Sequence, residues 1–118
     1  MSIKIENDLG SINISKEVIA NIAGSSAIEC YGLVGMATRS ASSGIVNLLK
    51  KENLSRGVKI EASDEGLNID LYVIIQFGTK ISVVAENIIE KVKYNVENQT
   101  GLKVLKVNVN IEGVKVQD

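Results

Sequence analysis

From Ile81 onward the apolar residues Ile81, Val84, Ala85, Ile88, Ile89, Val92 and Val96 recur every three or four positions. Glu86, Glu90, Lys91, Lys93 and Glu97 fall mostly between them. That spacing predicts an amphipathic helix with one face against a core. Thr79 is the expected N-cap, because its hydroxyl can accept an orphan backbone N–H. Gly101 suits the left-handed position just past a helix end. The period then drops to two. Leu105, Val107, Val109 and Ile111 alternate with Lys106, Asn108, Asn110 and Glu112, which predicts a strand with one buried and one wet face.

The same two periods organise the earlier chain. Ser2 to Glu6 reads as a short strand, Asn7, Asp8 and Gly10 as a turn, and Ile12 with Ile14 as a second strand. Ser15 is an expected N-cap for a first helix that buries Val18, Ile19, Ile22 and Ala23. That helix should end near Ser25 to Ala27, weakened by Gly24. Glu29 to Ala37 has no clean period and is expected to be a buried strand starting near Tyr31. Thr38 to Gly44 is linker-like, and Ile45, Val46, Leu48 and Leu49 form a short amphipathic turn or helix before Lys50 and Lys51. Val58, Ile60 and Ala62 alternate with Lys59 and Glu61. The turn Asp64-Glu65-Gly66 leads into the longest alternating run: Leu67, Ile69, Leu71, Val73, Ile75 and Phe77 on one side, Asn68, Asp70, Tyr72, Ile74 and Gln76 on the other. Residues 57–77 therefore read as a hairpin.

These elements define an α+β fold in one domain over residues 1–118. Its expected form is a single mixed sheet with a hairpin and a strand–helix–strand unit, and two main helices on one face.

Composition narrows the function classes. The 118 residues carry 13 basic and 14 acidic side chains, interspersed, for a formal charge of −1. This gives no electrostatic footprint for nucleic acid or anionic lipid. No apolar run is long enough to cross a bilayer, so no direct membrane insertion is expected, and Ile3 to Glu6 alternate like a strand where a signal peptide would be apolar. A cytoplasmic location is the expectation. The sequence has no histidine, tryptophan or proline. Without histidine the commonest general base, metal ligand and near-neutral pH switch are gone. The single cysteine, Cys30, rules out an internal disulfide. Beside Ile28 and Tyr31 it reads as a buried, inert thiol, and a nucleophilic role would need activation by a lysine or a helix N-terminus. No phosphate-loop, metal-ligating or calcium-loop pattern occurs, so no cofactor, metal site or catalytic residue is expected.

Gly32-Leu33-Val34-Gly35 matches the GxxG spacing of KH loops, which clamp RNA phosphates. Its apolar middle pair fits a different use better: glycines that let a buried strand approach a helix.

Three blocks carry a resemblance to a known family: SINISKEVIANIAGSSAIECYGLVGMA, GVKIEASDEGLNIDLYVIIQFGTKI and VAENIIEKVKYNVENQTGLKVLKVNVNIEGV. The chain resembles the alkaline-shock-protein family of the bacterial envelope stress response, found mostly in Gram-positive organisms. Helix, Thr-Gly-Leu stop and Val-Asn-Val strand together make the last block the most specific. The 38–57 segment has no matching motif, and without a long charged tail the chain resembles the family's short members. The resemblance implies an α+β domain, a cytoplasmic location, recruitment to the inner membrane surface through a partner, and no catalytic residues.

The leading expectation is thus a non-enzymatic scaffold or interaction protein in envelope homeostasis or stress response. It would bind a protein partner, membrane-anchored or not, or a second copy of itself. The alternative is an RNA-binding module of KH-like topology, although no nucleic-acid partner is expected from the charge. An enzyme using Cys30 is a third reading. Two surfaces compete as the interaction site. One is the wet sheet face: Lys59, Glu61, Asn68, Asp70, Tyr72, Lys106, Asn108 and Asn110. The other is the 38–54 excursion with Ile45, Val46, Leu48 and Leu49, whose apolar residues either close the core or dock a partner. The excursion is the narrowly preferred of the two.

Overall fold

A computed structural model describes residues 2–37 and 51–116. Strands β1 (Ser2–Asn7) and β2 (Gly10–Ser15) pair antiparallel as a hairpin separate from the main sheet. Helix α1 spans Lys16–Ile28, and β3 spans Leu33–Met36. A short 3₁₀ helix, Lys51–Gly57, leads into β4 (Val58–Ser63). β5 (Gly66–Gln76), α2 (Ile81–Thr100) and β6 (Val104–Lys115) complete the chain.

β5 is the axis of the main sheet. β6 runs parallel to it along one edge, from Leu67↔Val104 to Gln76↔Lys115. A strand has only two edges, so β4 and β3, both antiparallel to β5, divide the other. β4 takes residues 66–71 and β3 takes 73–75. The mixed sheet and the parallel strand–helix–strand unit agree with the α+β expectation. The N-terminal hairpin adds a second, two-stranded sheet.

Alternation in β5 decides which face is covered. Leu67, Ile69, Leu71, Val73 and Ile75 are buried, while Asn68, Asp70, Tyr72 and Gln76 are half-buried. The covered side joins one core with Ile19, Ala23 and Ala27 of α1 and Val84, Ile88, Val92 and Val96 of α2. Leu54, from the 3₁₀ helix, closes one end of this core. An added Cβ on Gly24 would lie 3.0 Å from Leu54 Cβ, so the glycine that weakens α1 also makes room for this plug.

Local chemistry explains the helix ends. Ser15 Oγ accepts from Val18 N at 3.2 Å, as its capping role predicts. Gly101 takes φ +77° and its N–H donates to Glu97 O at 2.9 Å. Leu102 N donates to Thr100 Oγ1 at 3.1 Å, and Val104 N donates to Glu97 Oε2 at 2.9 Å. The Thr-Gly-Leu stop thus turns the chain directly into β6.

Several local expectations are corrected. Thr79 does not cap α2: the N-cap is Lys80, without a side-chain bond, and Thr79 Oγ1 donates to Gln76 O at 2.7 Å. α1 continues to Ile28, and Val18 is exposed. β3 begins at Leu33, not Tyr31. Ile81 is exposed, and so is Phe77, because β5 ends at Gln76. Ile74 is buried although it lies on the outer side of β5. In β6 the bulge between Val104 and Lys106 displaces Leu105, so Val104 takes the core position opposite Leu67.

Candidate interaction surfaces

The outer face of the sheet gathers the polar positions expected there. Register sets Lys59, Asp70 and Asn108 in one row, Glu61, Asn68 and Lys106 in the next, and Tyr72 opposite Asn110. Four of these eight groups pair with one another, and a fifth bonds the backbone. Asn108 Nδ2 donates to Asp70 Oδ1 at 2.8 Å, and Asn110 Nδ2 donates to Leu71 O at 3.2 Å. Lys59 Nζ lies 3.1 Å from Glu61 Oε1, and this hydrogen bond, with the Glu61 charge, raises the lysine pKa. Asn68, Asp70, Asn108 and Asn110 therefore do share one face. The two β6 amides are spent on holding β6 to β5, which makes them poor ligands for anything else. Ile45, Val46, Leu48 and Leu49, the other expected surface, lie outside the described residues.

A third surface, at one end of the sheet, was not expected. Tyr31 is 81% exposed and Phe77 is 68% exposed, with Ile81 and Val83 about half exposed. Backbone bonds bring their segments together at one end of the sheet. Gln76 N donates to Gly32 O at 2.8 Å, and Phe77 N donates to Lys115 O at 2.8 Å, beside exposed Val114 and Val116. Tyr31, Gly78, Thr79, Lys80, Val83, Val84 and Asn87 line a shallow cavity of about 320 Å³ here. The sequence signal was misread by extrapolating alternation one residue past the strand, to Phe77, and by starting β3 at Tyr31. An aromatic next to a glycine at an element end, as in Tyr31-Gly32 and Phe77-Gly78, was the available clue.

Gly32 forms the floor of this end. Its φ is +90°, and an added Cβ would sit 2.6 Å from Val84 Cγ2. Gly32 therefore allows close approach to α2, but from the turn before β3 and not from within the expected strand, while Gly35 lies inside β3. A KH loop would instead stand between helices with its backbone open to phosphates.

Cys30 lies just behind the cavity, half-buried. Its Sγ is 3.7 Å from Ser26 O and 3.8 Å from Asn87 O. Burial pushes the thiol above its ordinary range, outweighing the opposing pull of Lys91, while Glu29 adds to the rise. A protonated thiol is a weak nucleophile. Among the described residues no group of His, Cys, Asp and Glu could hold a metal ion, and no helix is long and apolar enough to cross a membrane.

The described residues thus define a small α+β fold that presents a partly self-paired polar sheet face and an apolar end. A family model described as ASP23 family, cell envelope-related function, matches residues 4–116, and the chain belongs to that family, the alkaline-shock proteins. It is 48% identical over 117 residues to "Uncharacterized protein YloU" of Bacillus subtilis, covering 98% of each chain. It is 44% identical over 117 residues to "Uncharacterized protein Spy1614" of Streptococcus pyogenes, covering 98% of this chain and 97% of that one. Among solved structures, a MamM CTD chain is similar in outline, with a TM-score of 0.49 and 13% identity over 86% of this chain and 95% of that chain.

Proposed function

We propose that the chain is a non-enzymatic interaction domain of cell-envelope homeostasis and stress response, which docks a partner protein on the apolar end formed by Tyr31, Phe77, Ile81 and Val83. The partner would be held at the inner membrane surface, with this domain on its cytoplasmic side. The observation that carries this reading is the exposure of both aromatics at one end of the sheet, with Tyr31 lining the cavity and Phe77 preceding its Gly78. Tyrosine and large apolar side chains in a partly enclosed site are what interface anchors are made of. The envelope-related family supplies the setting.

The test uses the full chain as bait on solubilised envelope membranes, beside a Tyr31→Ser, Phe77→Ser double variant. Since both side chains are exposed, the variant should melt within about 0.5 kcal/mol of the parent. It should lose the envelope protein that the parent retains. Equal capture by both chains would move the docking site away from this end.

A further inference from the structure

We propose that two copies of this chain pair through β6, antiparallel and edge to edge, about a two-fold axis at Val109. The inference does not rest on the partner-docking reading, because it uses the opposite edge of β6 from β5 and none of the apolar end.

Three observations converge. First, β6 is 12 residues long, and among the described residues its sole strand partner is β5. A long strand with one bare edge is a template for pairing with another chain. Second, Asn108 to Gly113 are all half-buried, including Val109 and Ile111 on the core side. The core-side residues Leu71 and Val73, opposite them on β5, are fully buried. The deficit is therefore on the outer edge. Ile89, half-buried against the same core, lies on the flank of α2 turned away from Asn87, Lys91 and Asn95, whose contacts are with α1 and the two residues after it. Val109, Ile111 and Ile89 thus leave an incompletely covered apolar strip along the edge.

Third, β6 is complementary to itself in one register. Antiparallel neighbours point to the same face, so the helices of both copies lie on one side only if the paired residue numbers share parity. Pairing Val109 with its own copy meets this condition. It sets Val107 against Ile111 and Asn108 against Asn110, and it places Lys106 opposite Glu112 at both ends. Shifting by two residues either way sets Lys106 against Asn110 or Val114 and loses the charge match. The bulge at Leu105 lies just before this stretch and the second falls at Glu112, its last residue, so the alternation runs unbroken from Lys106 to Ile111.

The register makes a charge-swap test possible. Lys106→Glu alone sets Glu against Glu, Glu112→Lys alone sets Lys against Lys, and the double swap restores opposite charges. The parent should dimerise in sedimentation equilibrium at concentrations up to about 0.5 mM, each single swap should weaken the dimer roughly tenfold, and the double swap should recover it. In a Cys30→Ser background, Val109→Cys should oxidise to a disulfide-linked dimer, since residues directly opposite in antiparallel strands bring Cα atoms to about 4.5–5.5 Å. Lys103→Cys, whose two copies would lie roughly 40 Å apart along the paired strands, should not. A parent that stays monomeric throughout overturns the proposal. So does a dimer indifferent to the charge swaps, because its interface would lie elsewhere.

Discussion

Asn95 Nδ2 donates to Ser26 Oγ at 2.8 Å, joining α2 to α1 across the top of the core. The serine is buried and its own hydroxyl donates to Ile22 O at 2.7 Å, so Asn95 supplies the second bond of a closed pair. The serine is shielded from water while Asn95 is half-buried, and their bond ties the two helices together. Asn95→Ala should therefore cost about 0.5–1.5 kcal/mol in urea unfolding, the net value of one such bond. In a double-mutant cycle with Ser26→Ala the two losses should couple. Strict additivity would mean the bond contributes nothing in solution.

Ile88 is fully buried at the centre of the α2 face. Truncation there removes methylenes from a site bounded by both helix and sheet, so Ile88→Ala should cost about 2–5 kcal/mol. Exposed Lys93 on the same helix serves as the control, and Lys93→Ala should stay within about 0.5 kcal/mol. Chemical denaturation of both variants decides the matter; a core variant as mild as the control would place the apolar face elsewhere.

That face was legible because period 3.6 over five turns leaves little freedom: Val84, Ile88, Val92 and Val96 were all expected inside and are. The hairpin from β4 to β5 was equally legible, since strict alternation around Asp64-Glu65-Gly66 permits one register. Asn68, Asp70, Asn108 and Asn110 fell on one face for the same reason. What failed was the treatment of breaks. Sequence alternation carries no mark of the bulge that ejects Leu105 in favour of Val104, and none of the point where β5 stops short of Phe77. Capping chemistry likewise depends on backbone angles, so Thr79 looked like a cap yet bonds Gln76 O instead. The apolar end surface is built from three such misjudged element ends. It was invisible because Tyr31, Phe77 and Ile81 each resembled core and Val83 was assigned to neither face.

With no histidine in the sequence, stability should be flat between about pH 6 and 8. Cys30 should appear above that window. Its folded pKa is raised from 9.0 by burial, so the folded state holds the proton more tightly than the unfolded chain does. The resulting stability is fully present below the unfolded value and is lost as pH rises through the folded one. The melting temperature of the parent should thus fall faster above pH 9 than that of Cys30→Ser. Thiolate-dependent labelling of Cys30 should also lag that of a free thiol at pH 8 and catch up only at higher pH. Parallel melting curves for the two chains across the alkaline range would contradict the assignment.

Gly32 and Val84 offer the sharpest test of the packing beneath the apolar end. At φ +90° any side chain is strained, and a Cβ would also lie 2.6 Å from Val84 Cγ2. Gly32→Ala therefore meets two separate penalties, one in the backbone and one against α2. The backbone part should cost about 1–2 kcal/mol whatever surrounds it. The steric part should yield when Val84 is shortened. Val84→Ala alone opens a gap in the core, because Val84 is buried. Combined with Gly32→Ala, the new methyl would occupy space the valine vacated. The double variant should then be more stable than the sum of the two single losses predicts, by at least about 0.5 kcal/mol, in urea unfolding. Additive losses would show that α2 yields to the new methyl freely. In that case close approach to the helix is not what glycine provides at position 32, and only its backbone conformation is.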